Sequence, residues 1–190
     1  TYAGVDGYCP LAAYLGTQGY CLELALRPGV QHSASGTQLD LKRIVPMAQR
    51  LSAGGGKAPI LVRLDAGFDS ADLMREMAAC NSAGLPRVDW LIKWNPRKTE
   101  VATLAALLDA NQATRWQHPR AGKRVTVWDE QVRIEGFERP MRRVMRLTER
   151  TIDAKGQLLI EPQWVLEGWS TTLAGRQFDV AVIELFGDAQ

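Results

Sequence analysis

Two short apolar runs open the chain, Pro10–Leu15 and Tyr20–Arg27, separated by Gly16-Thr17-Gln18-Gly19. That spacing predicts a β-hairpin. In the second run Leu22, Leu24 and Leu26 alternate with Cys21, Glu23, Ala25 and Arg27, which predicts a half-buried strand. Arg27-Pro28-Gly29 ends it. The period then changes to helical. Leu41, Ile44, Val45, Ala48 and Leu51 follow Thr37, a plausible N-cap, and Pro46 predicts a kink or two short helices.

Pro59-Ile60-Leu61-Val62-Arg63-Leu64 is nearly continuous in apolarity and of strand length, the pattern of a strand buried on both faces of a sheet. Asp69 is the expected N-cap of the next helix, with Leu73, Met74, Met77, Ala78 and Cys80 as its inner stripe and Gly84 as its stop. Val88–Trp94 reads as a further strand. Thr99 precedes an Ala/Leu-rich helix to about Asp109. Beyond Trp116 the texture becomes β-rich, with strand-like runs at Arg124–Trp128, Gln131–Ile134, Met141–Arg150 and Gln163–Thr172, and a turn at Asp153-Ala154-Lys155-Gly156. The chain returns at Asp179–Phe186. The pattern is an α/β core, a β-rich insertion and a return to the core.

With 190 residues, 46% of them hydrophobic, the chain is long enough for one well-buried domain with an insertion. No apolar run reaches the roughly 18 residues that span a bilayer. Cys9, Cys21 and Cys80 are scattered without Cys-x-x-Cys spacing, and neither His32 nor His118 lies near them in sequence. That argues against a zinc site and fits reduced thiols in a cytosolic protein.

Charge changes the picture more. Residues 113–150 carry ten Arg/Lys against five Asp/Glu, while residues 151–190 carry two against six. The first block is therefore net +5 and the second net −4. A basic block of this kind points to a polyanionic partner or, more blandly, to an Arg-rich solvated face. Five of the six tryptophans lie between Trp94 and Trp169. They suit a small β core, with stacking on a flipped base as the alternative.

Asp65 stands at the C-terminal end of the Ile60–Leu64 run, where open α/β sheets place their sites. Small Ala66 and Gly67 follow it. With Asp69 expected to cap the next helix, Asp65 has no local duty, which makes it the leading candidate for chemistry.

An ordered set of motifs adds to this: Gly4-Val5-Asp6-Gly7-Tyr8-Cys9-Pro10-Leu11, Leu26-Arg27-Pro28-Gly29, Gln31-His32-Ser33, Arg63-Leu64-Asp65-Ala66-Gly67-Phe68, Val88-Asp89-Trp90-Leu91-Ile92-Lys93-Trp94-Asn95-Pro96 and Leu166-Glu167-Gly168-Trp169. Taken in order they resemble the DDE transposases of bacterial insertion sequences, and they cover nearly the whole chain. The resemblance implies an RNase H-like core over 1–112 lacking its first strand, a β-rich basic insertion over 113–175, and the start of a C-terminal core helix over 176–190.

Asp65 matches the second catalytic acid, with Ala66 where the family usually has Ser. The first acid is expected before Thr1 and the third, a Glu on a helix, just after Gln190. Phe186 matches an aromatic preceding that Glu, Glu184 is too early, and Asp6 reads as a turn residue. The resemblance further implies Mg²⁺ or Mn²⁺ held in part by Asp65, metal-dependent DNA cleavage and strand transfer, and double-stranded DNA as partner. It implies a homodimer in the DNA complex and a bacterial cytoplasmic location. His32 becomes a candidate near the phosphate, its alternative being an incidental loop residue, and Lys123, Arg124, Arg142 and Arg143 become DNA-contact candidates. With one acid of three, the chain alone is expected to be inactive, and a degenerate DNA-binding remnant is the rival reading.

Overall fold

A computed structural model describes residues 7–54, 58–96, 98–173 and 183. Asp6, Glu184, Phe186 and the helix expected over 176–190, residue 183 apart, lie outside the described residues. The elements run β1 (Leu11–Leu15), β2 (Tyr20–Ala25), α1 (Thr37–Ala53), β3 (Ile60–Leu64), α2 (Ala71–Ala79), β4 (Val88–Trp94), α3 (Val101–Ala110), β5 (Gln117–Arg120), β6 (Lys123–Val132), β7 (Met141–Ile152) and β8 (Leu158–Thr171). This is a mixed α/β protein. β1 and β2 form a two-stranded sheet, and the remaining strands form a mixed six-stranded sheet in the order β3-β4-β8-β7-β6-β5. Among the described residues no helix is long and apolar enough to cross a membrane.

The chain divides into two compact units, Thr1–Ile92 with Ile134–Glu138, and Lys93–Arg133 with Arg139–Gln190. In the first unit the expected hairpin forms, antiparallel from Leu11↔Ala25 to Leu15↔Tyr20. Its inner face is the reverse of the one the leucines suggest. Leu24 and Leu26 are exposed, while Arg27 on the alternate face is 8% exposed. The reason is α1, which meets this alternate face: Arg43 pairs with Glu23, and Thr37 accepts a hydrogen bond from Arg27.

The helix α1 runs unbroken through Pro46, contrary to the predicted interruption, and Gly36 at φ 79° is its cap residue, with Thr37 the first helical position. A left-handed residue there favours glycine, because any Cβ meets backbone carbonyl in that conformation. Leu41, Val45 and Ala48 form the buried stripe, joined by Gln49, whose amide donates to the carbonyls of Cys80 and Pro86. Leu51 is exposed.

β3 pairs in parallel with β4, from Ile60↔Val88 to Leu64↔Ile92. The expectation of a strand buried on both faces is not met, and its partner is β4 rather than the Tyr20–Arg27 run, which pairs with β1. β3 is the outer strand of its sheet, none of its residues is fully buried, and the buried role passes to β4, where Val88, Trp90, Leu91 and Ile92 are each 3% exposed or less. An outer strand of five residues is half-covered even when its sequence is apolar.

The second unit is an antiparallel meander, β5 to β8, with α3. The run Arg124–Trp128 and the first two residues of Gln131–Ile134 fall in one ten-residue strand, β6, which ends at Val132. β6 pairs with β7 without interruption from Lys123↔Arg150 to Val132↔Met141. Strict alternation follows, so each strand presents two different faces. Ala105 of α3 packs on Met145, Leu147 and Leu166, ringed by Trp94, Trp116, Trp128 and Trp164. The tryptophans thus fill the core of this unit.

Candidate functional site

Asp65 follows directly on β3, at the C-terminal end of a parallel pair, and is exposed. Its Oδ1 accepts the Gly67 backbone N–H at 2.7 Å and so caps a single 3-10 turn, Ala66–Phe68. The expected division of labour is therefore reversed. Ser70, not Asp69, is the cap residue of α2, and Asp65 does have a local duty. That bond fixes the carboxylate beside the turn and engages one of its two oxygens.

Gly67 has a second role. A Cβ on it would lie 2.9 Å from Ser33 Oγ and 3.0 Å from Asp65 Oδ1. The missing side chain is what lets the His32–Ser33 loop sit against the Asp65 turn. Two of the sequence-nominated residues, Asp65 and His32, are thus brought to neighbouring loops of the first unit. His32 is exposed, and its Nδ1 accepts the Ala34 N–H at 3.2 Å. With Nδ1 accepting, Nε2 is the ring nitrogen left to donate.

Arg27 builds this loop. It donates to the carbonyls of Ser33 (3.0 Å) and Cys9 (3.3 Å) and to Thr37 Oγ1 (3.1 Å), and Thr37 in turn donates to the Ser33 carbonyl at 2.7 Å. Among the described residues its hydrogen-bond partners are backbone carbonyls, a hydroxyl and the Cys9 thiol rather than a carboxylate. The sequence shows Arg27 only as part of the Arg-Pro-Gly turn and gives Ser33 no role of its own. The only signal it offers is that turn placed just before the His-Ser pair. Among the described residues no group of three or more His, Cys, Asp or Glu converges in a way that could hold a metal ion. Asp65 is one hard oxygen donor and not yet a cage.

The four basic candidates lie in the second unit and do not form one patch. Register puts Arg124 and Arg143 on one face of the sheet and Lys123 and Arg142 on the other. Arg124 donates to Asp109 at 2.8 and 2.9 Å and to Glu149, and its guanidinium lies 4.2 Å from the Trp116 ring centroid. The hydrogen bonds it donates to Asp109, working against burial and helped by Glu149, raise its already high pKa further. Arg142 is 6% exposed and bonds Asp129 at 3.1 Å. Arg143 lies 4.4 Å over Trp94, donates to Ser170 Oγ and stands 3.9 Å from Glu130. Of the four, Lys123 alone has no acidic partner among the described residues.

The arginines that sequence singled out are engaged inside the unit, each clamped between an acid and, for Arg124 and Arg143, an indole ring. No family model matches this chain, and no curated protein matches it.

Proposed function

We propose that this chain is part of the catalytic core of a transposase of the DDE type, with an RNase H-like core and a β-rich insertion. The parent enzyme would cut double-stranded DNA in a metal-dependent reaction and join the freed end to a target, acting as a dimer on DNA. The observation that carries the reading is the Asp65 turn. An exposed carboxylate stands at the C-terminal end of a parallel strand, with one oxygen accepting from Gly67 and no further partner among the described residues, and the loop that carries exposed His32 packs against its turn through Ser33. Together with the ordered motifs, that arrangement supports a phosphate-handling site.

A carboxylate oxygen suits Mg²⁺ or Mn²⁺. Asp65 would hold such an ion, which when bound supplies positive charge at the attacking and leaving oxygens of a phosphodiester. His32 would donate its Nε2 proton to a phosphate oxygen. Ser33 and Gly67 would keep the two loops in place, and two further carboxylates would have to join Asp65.

The second reading is a non-catalytic DNA-binding remnant. It is favoured by the capping bond, which gives Asp65 a structural use independent of any metal.

Cleavage of a labelled element-end duplex with Mg²⁺ or Mn²⁺ by the protein as encoded separates the two. Asp65→Asn keeps an acceptor oxygen for Gly67 and removes the charge. It should leave the melting temperature nearly unchanged and reduce cutting by at least about a thousandfold. Undiminished cutting by Asp65→Asn discards the assignment. No cutting by the unmodified protein favours the remnant.

A further inference from the structure

The second unit treats its arginines unequally. Arg124, Arg142, Arg143 and Arg146 each face an acid: Asp109 and Glu149, Asp129, Glu130, and Glu167 respectively. At the β5–β6 end of the sheet the pattern breaks. Arg120 stands directly opposite Lys123, and Lys123 stands directly opposite Arg150. Residues opposite one another in an antiparallel ladder project to the same face, so these three cations form a row across β5, β6 and β7. Gln163 of β8 extends the row beyond Arg150.

None of the three has an acidic partner among the described residues. The one side-chain hydrogen bond found for them there is from Arg120 to the Ala121 carbonyl. Arg120 is exposed and Lys123 and Arg150 are half-exposed.

Like charges directly opposite one another destabilise a ladder. This ladder is nonetheless tightly fixed at that end. The β5–β6 turn passes through Gly122 at φ 66°, its carbonyl accepts the Thr151 N–H at 2.8 Å, and a Cβ there would overlap the Ile152 side chain. The row is therefore held in register against its own repulsion. With neighbouring strands about 4.8 Å apart, three cations cover roughly 10 Å. A polyanion laid along the row would neutralise that repulsion.

We propose that Arg120, Lys123 and Arg150 form the duplex-phosphate contact of the β-rich unit, and that the acid-paired arginines Arg124, Arg142 and Arg143 serve its architecture. The proposal rests on the reading of this chain as a DNA-binding protein; it keeps Lys123 from the residues sequence favoured and joins it to Arg120 and Arg150, a row that only the register reveals. The contact is to backbone phosphate, so it positions DNA without reading sequence.

The test is fluorescence anisotropy of a labelled duplex with the 190-residue chain across a salt series. One variant carries Arg120→Gln, Lys123→Gln and Arg150→Gln. An equal-charge control carries Arg115→Gln, Arg133→Gln and Arg139→Gln, all at exposed positions outside the row. The row variant should lose about three units of salt slope and bind at least about tenfold more weakly, on every sequence tried. It should melt no lower than the unmodified chain, because a repulsive row has been removed. The control should keep its slope.

Equal losses in the two variants overturn the row in favour of diffuse charge and leave DNA binding intact. An unchanged slope in the row variant overturns it too. No salt-dependent binding by the unmodified chain sinks the DNA reading and the row with it.

Discussion

Arg27 and Asp65 show how differently two charged residues of one unit are used. Arg27 is almost fully buried, and its guanidinium ties the end of the β1–β2 hairpin to the start of α1 through Cys9, Ser33 and Thr37. Each bond from a charged donor to a carbonyl is strong, and its loss leaves buried acceptors without a partner. Arg27→Ala should therefore lower stability by about 2–3 kcal/mol, read as a lower urea midpoint at unchanged slope. Arg27→Lys should recover little of this, because an ammonium is a compact point that cannot reach three separated acceptors at once. A midpoint within experimental scatter of the unmodified chain for Arg27→Ala would show that the loop does not depend on it. Asp65 was legible in the sequence because it closes an apolar run and precedes Gly67. Its capping bond was not, since the sequence offers Asp69 as an equally good cap and only the 3-10 turn decides between them.

At the scale of elements, alternation and period located most strands and helices, and misread what they face. The β1–β2 hairpin has a leucine face and a Cys-Glu-Ala-Arg face, and hydropathy favours burying the leucines. The partner decides instead, because α1 is tied to Glu23 and Arg27 on the other side. No local pattern carries that information.

The β-rich unit is the converse case. Its strands were visible as runs, yet the layering of arginine on tryptophan depends on register, which brings together residues as far apart as Trp94 and Arg143. Gly168 illustrates the consequence. It lies opposite Met145, and a Cβ there would stand 2.8 Å from both Met145 Sδ and Trp94 Cε3. The thioether can move aside, but the indole is held beneath Arg143. Gly168→Ala should cost about 1–3 kcal/mol through overpacking alone, with near-ultraviolet circular dichroism of the tryptophans altered as well. Unchanged stability and spectrum would mean that Trp94 yields readily and that this layer is loosely packed.

For the whole molecule, the mixed α/β class and the mixed sheet follow from the alternation of runs and from the change of texture after Trp116. The charge asymmetry, so clear along the sequence, is partly dissolved by folding. Acids of β8 and α3 meet arginines of the basic block, as Glu167 meets Arg146 and Asp109 meets Arg124. Glu167 is the point where this coupling becomes measurable. Its carboxylate accepts from Arg146 Nε at 2.9 Å and from Lys93 Nζ at 3.2 Å, in a unit where Arg146 also lies 5.3 Å over Trp169. Burial acts to raise its pKa, but the hydrogen bonds and charges of Arg146 and then Lys93 outweigh it and hold the carboxyl below its ordinary 4.5. A carboxyl depressed in the folded state contributes stability that is fully present above the unfolded value and is lost as pH falls through the folded value. The melting temperature should therefore drop more steeply with acid in the unmodified chain than in Glu167→Gln. Above the ordinary carboxyl range the variant should melt lower, since two cations lose their shared counter-charge, and the gap should close as the pH falls below 4.5 and through the depressed folded value. Thermal melts of both chains over that range measure it directly. A gap that stays constant with pH would show that Glu167 acts through packing and neutral hydrogen bonds, and the acid sensitivity would then belong to other carboxylates.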